Sequence, residues 1–239
     1  MIKSIIDRIV DLAFPPRCAI CNELLSIGER GSCYECRDKL TFVVEPYCMK
    51  CGKPLDNEEL EYCSDCSTKE HSFDEGRAAL VYDEYISRSI YRFKYNSKQE
   101  YAAYYAQIIY DRLRDKIKSW NPEALIPVPI HKNRMKKRGY NQAYLIAKEL
   151  SKLTGIPVEN NLVKRKNETK VQKELGARER ENNLKKAFIV NKNVVELKSV
   201  VIIDDIYTTG STVDSIASLL KEKGVRRVYF ISLSIGRGY

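Results

Sequence analysis

Apolar positions change their spacing several times along this chain, and each change marks an element. In residues 1–15, Ile2, Ile5, Ile6, Ile9, Leu12 and Ala13 recur at helical spacing, interrupted by Asp7, Arg8 and Asp11. This predicts an amphipathic helix, packed on the body of the protein or lying on a partner or membrane surface, and not a signal peptide. Residues 18–66 carry few large apolar side chains. From residue 76 onward strands and helices alternate. Residues 77–82 read as a strand, and residues 83–94 and 99–118 as helices parted by Asn96-Ser97-Lys98. Residues 124–128 form a second strand closed by Pro129. A basic run then opens a helix through residues 142–153, with Gly155 as its stop. Short strand pieces follow at 156–158 and 162–163. A polar, aperiodic loop covers 164–176, and loops of that length in compact domains are often lids. A short helix (177–185) and a strand (187–190) complete this part.

The most informative stretch is V-V-I-I-D-D-I-Y-T-T-G-S-T, from Val200 to Thr212. Four β-formers make a buried strand. Val213, Ile216, Ala217 and Leu220 then mark one helical face up to Gly224, and a further β run spans 228–233. The unit is a parallel strand–helix–strand crossover. The expected class is α/β: a parallel-sheet domain over residues 76–239, preceded by a small cysteine-rich module over residues 16–70.

The loop after that strand lies where open α/β sheets bind ligands, at the carboxyl ends of the strands. Helix-start N–H groups with the hydroxyls of Thr208, Thr209, Ser211 and Thr212 suit a phosphate dianion, and Gly210 allows a close backbone approach. Asp204 and Asp205 repel phosphate but accept hydrogen bonds from a sugar diol. The loop therefore asks for a sugar phosphate. It lacks the Gly-Lys-Ser/Thr ending of a nucleoside-triphosphate P-loop.

Eight cysteines form four C-x-x-C pairs that start fifteen residues apart: Cys18/Cys21, Cys33/Cys36, Cys48/Cys51 and Cys63/Cys66. Each pair is a knuckle supplying two thiolates, and eight thiolates make two closed tetrahedral zinc sites. The sequential grouping Cys18/Cys21/Cys33/Cys36 and Cys48/Cys51/Cys63/Cys66 is favoured, although spacing alone leaves other pairings of the knuckles open. A structural zinc supplies roughly 10–16 kcal/mol of apparent binding energy, which a segment with so small a core needs to fold. Neither site has a spare position for catalysis.

With 44% hydrophobic and 31% charged residues the composition is that of a folded protein, and no apolar run reaches membrane-spanning length. The formal charge of +9 is uneven: residues 131–192 hold 17 Lys and Arg against 6 Glu. This surplus lies in the same domain as the sugar-phosphate loop and favours polyanion binding beside it. Lys132, Arg134, Lys136, Lys137 and Arg138 follow the second strand, where a pyrophosphate would sit; arginine offers its oxygens a planar fork. The tyrosines Tyr91, Tyr95, Tyr101, Tyr104, Tyr105 and Tyr110 fall at helical spacing, which favours packing for most of them over base stacking.

The D-D-x-x-T-T-G-x-T string resembles the PRPP-binding loop of type I phosphoribosyltransferases. Over nearly its whole length the chain resembles the ComF family, phosphoribosyltransferase-like proteins associated with bacterial competence and DNA uptake. The resemblance is carried by the double cysteine ribbon, Lys94-Tyr95, P-V-P with R-x-x-x-R-G-Y-N-Q (Pro127–Pro129, Arg134–Gln142), R-x-x-x-T-x-x-Q-x-x-L (Arg165–Leu175), R-x-x-N (Arg180–Asn183) and the aspartate loop. It implies that Asp204 and Asp205 hold the ribose hydroxyls and that Thr208, Thr209, Gly210, Ser211 and Thr212 hold the 5′-phosphate. Arg134 and Arg138, with His131 and the lid residues Arg165, Thr169, Gln172 and Arg180, would stabilise the leaving pyrophosphate, with Mg²⁺ accompanying PRPP. Purine-salvage members of the superfamily often carry an aspartate where this chain has Thr208, which argues against simple purine salvage. The second reading is a single-stranded DNA-binding or partner-binding component of the uptake machinery that uses PRPP only as a ligand. The expected location is the cytoplasm, with a peripheral seat at the inner face of the membrane as the variant.

Overall fold

A computed structural model describes residues 15–166, 187–190 and 197–237. Residues 1–14 of the first predicted helix, the predicted helix at 177–185 and residues 167–176 of the predicted lid lie outside the described residues, while Lys164 and Arg165, expected in that loop, lie in a strand.

Four parallel strands form the central sheet in the order β1-β6-β5-β2: β1 Glu75–Val81, β2 Ala124–Pro127, β5 Ser199–Tyr207 and β6 Arg227–Ile235. Seven described helices accompany it: α1 Tyr34–Arg37, α2 Ser64–Thr68, α3 Glu84–Tyr95, α4 Tyr101–Trp120, α5 Lys132–Arg138, α6 Gln142–Thr154 and α7 Ser211–Glu222. Strands β3 Val163–Arg165 and β4 Phe188–Val190 pair antiparallel as a separate hairpin.

The unbroken apolar run in β5 follows from burial on both faces. Val201 and Ile203 pack with Ile231 and Leu233 against α3, α4 and α6, while Val200 and Ile202 pack with Val228 and Phe230 against α7. The cysteine ribbons belong to these same two cores. Cys18, Ala19, Ile20, Cys36 and Leu40 join the α3–α4 cluster, and Cys48, Cys51, Cys63 and Phe73 join the α7 cluster. Between the ribbons, residues 41–43 pair with the outer edge of β1: the Val81 N–H donates to Thr41 O at 2.8 Å and the Val43 N–H to Ala79 O at 3.1 Å. An edge that would template unwanted strand addition is thereby covered.

Two sequence expectations are corrected. The basic run does not open the helix at 142–153; it forms its own helix, α5, closed by Gly139 at φ +82°, and Asn141 caps α6 afresh by accepting from the Ala143 N–H. The strand ending in the two acids does not stop at Ile203 but runs on to Tyr207, because β6 still pairs with Asp204, Ile206 and Tyr207. The tyrosines divide. Tyr101 and Tyr105 are fully buried, whereas Tyr91 and Tyr95 are exposed at the end of α3.

Candidate functional site

At the carboxyl end of β5 the chain turns through Thr208 and Thr209 into Gly210, which caps α7 in the left-handed conformation (φ +76°). No side chain caps the first turn of α7, so its leading N–H groups stay available to an anion. Thr209 and Ser211 hydroxyls lie 3.0 Å apart across the turn. Asp204, Ile206, Tyr207, Thr208, Thr209, Gly210, Ser211, Thr212 and Val213 line a cavity of about 190 Å³ here. The five loop residues singled out from the sequence and Asp204 therefore come together. Such a cavity is lined by hydroxyl donors and a carboxylate.

The two aspartates do not act alike. Asp204 faces the cavity, and its Oδ1 accepts from the Asp205 N–H at 2.9 Å. Burial, then the neighbouring Asp205 charge, pushes its carboxyl well above the usual 3.8. Alternation along the strand turns Asp205 to the other face, where it is 4% exposed and forms an ion pair with Lys94 at 2.6 Å. Lys94 ends α3, and no spacing rule assigned it a role; its only sequence signal was the Lys94-Tyr95 pair in the resemblance.

Pairing of β2 with β5 (Pro127 opposite Ile203) brings the segment after β2 alongside the aspartates. His131 caps α5, its Nδ1 accepting from the Asn133 N–H at 3.2 Å. Arg138 donates to Gln142 Oε1 and lies over the Tyr95 ring at 5.2 Å. Asp205–Lys94 and Tyr95–Arg138 thus meet at the end of α3, linking the aspartate strand to the basic helix. Arg134 is exposed on α5. Arg165 sits on β3 with its guanidinium over the Phe188 ring at 5.6 Å and does not line the cavity. Thr169, Gln172 and Arg180 lie outside the described residues.

Cysteine geometry resolves the pairing that spacing left open. Cys18, Cys21, Cys33 and Cys36 form one cluster and Cys48, Cys51, Cys63 and Cys66 the other, with the sulfurs of each within 4.8 Å of one another. Four thiolates about 2.3 Å from a central zinc would stand about 3.8 Å apart. Cys21–Cys33 and Cys51–Cys63 sulfur distances are 3.8 and 3.7 Å, so the donor sets fit zinc. Burial opposes the Cys18 thiolate, but N–H donors from Cys21, Cys33 and Ile20 outweigh it and bring the pKa down to about 7. Burial pushes the Cys21 thiol the other way, so the N–H donors favour the thiolate at Cys18 alone within this knuckle. Among the described residues no helix is long and apolar enough to cross a membrane.

Comparison with known proteins agrees with this architecture. The double zinc ribbon domain model matches residues 9–67 and the phosphoribosyl transferase domain model matches residues 96–235. Competence protein F of Haemophilus influenzae is 37% identical over 217 residues, covering 89% of this chain and 93% of that protein. The DNA utilization protein YhgH of Escherichia coli K12 is 30% identical, covering 91% and 96%. Competence protein ComFC of Bacillus subtilis is 27% identical, covering 80% and 78%.

Proposed function

We propose that this chain, which belongs to the ComF family of double-zinc-ribbon, phosphoribosyltransferase-domain proteins, binds PRPP with Mg²⁺ and transfers its phosphoribosyl group in the service of DNA uptake. The observation that carries the reading is the uncapped turn at Thr208–Thr212 opening onto a cavity with Asp204 at its edge. The 5′-phosphate would take the free N–H groups and the Thr and Ser hydroxyls, and Asp204 a ribose hydroxyl. Asp205 would act with Lys94, which neutralises its charge beside an anionic ligand. Arg134, Arg138 and His131, on the neighbouring segment, would face the pyrophosphate, with Thr169, Gln172 and Arg180 as the proposed lid and Arg165 at its base on β3.

In the transfer, an acceptor nucleophile forms a bond to C1 of the ribose. The C1–oxygen bond to pyrophosphate breaks, and its electron pair leaves with pyrophosphate. Mg²⁺ would arrive with PRPP as a chelate of its oxygens and lower the charge of the leaving group. What these residues contribute is placement and electrostatics. Similarity to competence protein F and to competence protein ComFC supports the competence role.

Calorimetric titration of the zinc-loaded protein with Mg–PRPP tests the reading, with the double variant Asp204→Asn/Asp205→Asn as control. Saturable binding lost in the variant is expected. A folded wild-type protein that binds no PRPP would overturn it.

One observation favours a second activity beside the first. Tyr91 and Tyr95 are 60% and 55% exposed, with ring centroids 4.9 Å apart, next to the basic helix α5. Exposed aromatics among lysines and arginines suit stacked bases and a phosphate backbone, so single-stranded DNA is the proposed second ligand. Partner proteins of the uptake machinery and a cytoplasmic location, with a peripheral seat at the inner membrane face, complete the proposal.

A further inference from the structure

The second ribbon ends against the helix that carries the phosphate loop. His71 Nδ1 lies 2.7 Å from Asp214 Oδ2, and the Ser72 N–H donates to Asp214 Oδ1 at 2.7 Å. Asp214 stands in the first turn of α7, its own N–H bonded to Gly210 O at 2.8 Å. A carboxylate in a first turn is the anion that a helix N-terminus ordinarily attracts. Here both of its oxygens are held outward by the ribbon's exit segment, and the leading N–H groups are left to the cavity. The His71 side chain is fully buried, and its Nε2 has no hydrogen-bond partner, so Asp214 is its polar anchor among the described residues.

Behind this clamp runs an aromatic stack. His71 stacks on Phe73 at 4.8 Å, Phe73 meets Phe230 edge-on at 4.9 Å, and Phe230 lies flat on Tyr207 at 4.4 Å. Tyr207 reaches under the loop: a Cβ on Gly210 would fall 2.4 Å from its hydroxyl. The same buried cluster contains Cys48, Cys51 and Cys63. Cys18 and Cys36 of the first ribbon pack instead with α3 and α4.

We propose that His71, Phe73, Tyr207 and Asp214 form a positioning unit through which the second ribbon sets the shape of the phosphate loop. The ribbon then acts on ligand affinity without touching the ligand, and it does so from one side of the sheet only. The affinity half of this inference rests on the sugar-phosphate reading above; the geometric half does not.

Hydrogen exchange and titration separate the two. In the full-length, zinc-loaded protein, His71→Ala removes the anchor and His71→Asn keeps a donor near the Nδ1 position. Loss of one hydrogen bond to a charged group predicts about tenfold faster exchange at residues 208–214 in His71→Ala. The first ribbon should be unchanged, and His71→Asn should return toward wild type. Titration of Mg–PRPP should weaken by about the same factor in His71→Ala and recover in His71→Asn. If His71→Ala does not fold, Asp214→Asn carries the same test from the other partner. Unchanged loop exchange in a folded variant overturns the positioning unit, as does faster exchange spread evenly over the chain. A response of the loop in a protein that binds no PRPP upholds the unit and removes the sugar-phosphate reading.

Discussion

Asp204 is adjacent in sequence to a second carboxylate and lines a cavity. Its pKa is raised by burial first and by Asp205 second. The native state therefore holds this proton to higher pH than the unfolded chain does. Stability falls wherever the folded state binds more protons, so it falls as pH rises from the usual carboxylate value of 3.8 through the raised native value. Asp204→Asn removes that dependence. Thermal melts across pH should show the variant gaining on wild type as pH rises to neutrality, by a few degrees for a chain of this size, and losing the advantage near pH 4. A constant offset at all pH values would mean that folding leaves the proton affinity of Asp204 unchanged. The same variant is expected to lose PRPP binding, so that stability and ligand affinity move in opposite directions at one position. Asp205 is paired instead with Lys94 at 2.6 Å.

Gly210 shows how an element ends on conformation rather than on pattern. Gly210→Ala places a side chain at φ +76° and 2.4 Å from the Tyr207 hydroxyl. The left-handed backbone alone costs about 1–2 kcal/mol. Denaturant titration should show that loss or more, and Gly210→Ala/Tyr207→Phe should recover part of it by removing the nearest atom. No recovery would mean that the turn itself, not the tyrosine beneath it, sets the loop. The strand–helix–strand unit around this turn was legible because a parallel strand buried on both faces is written as a continuous apolar run, and α7 repeats at 3.6 residues. Its true end at Tyr207 was not, since Asp204 and Ile206 pair with Ser232 and Ser234, where polar residues replace the apolar pattern. The break at Gly139-Tyr140-Asn141 was hidden for a different reason: the basic run and the next helix both favour helix, and only the left-handed glycine and the new cap divide them. Thr208–Thr212 and the cysteine knuckles could be read from order and spacing alone. Lys94 with Asp205, and His71 with Asp214, could not, because each pair joins residues more than a hundred positions apart through the packing of different elements.

At the scale of the whole chain, the ribbons are not appendages. Each shares a buried cluster with one face of the sheet, and the segment between them covers the edge of β1. The first ribbon is pinned to α3 and α4 by Ser89 and Arg92, which donate to Ala19 O and Ile20 O, and by the Tyr101 hydroxyl on Asn22 at 2.7 Å. Removing residues 16–70 would expose the apolar surface of both clusters and leave Ser89 and Arg92 without those acceptors. The sheet domain should therefore not fold to a stable unit when residues 16–70 are removed. Withdrawing zinc from the intact chain with a chelator should lower the temperature of one cooperative transition instead of melting a separate ribbon step. Calorimetry of the full chain, with and without chelator, and of the shortened chain makes the comparison. A sharp transition and undiminished Mg–PRPP affinity in the shortened chain would show the sheet domain to be self-sufficient. Two resolved transitions in the full chain would say the same of the ribbons. The expected single transition follows from where the cysteines lie: Cys18, Cys48 and Cys51 are fully buried, within cores that the sheet completes. Folding energy supplied by zinc at the ribbons is in this way spread into the sheet and, through Phe73 and Tyr207, to the turn at Gly210.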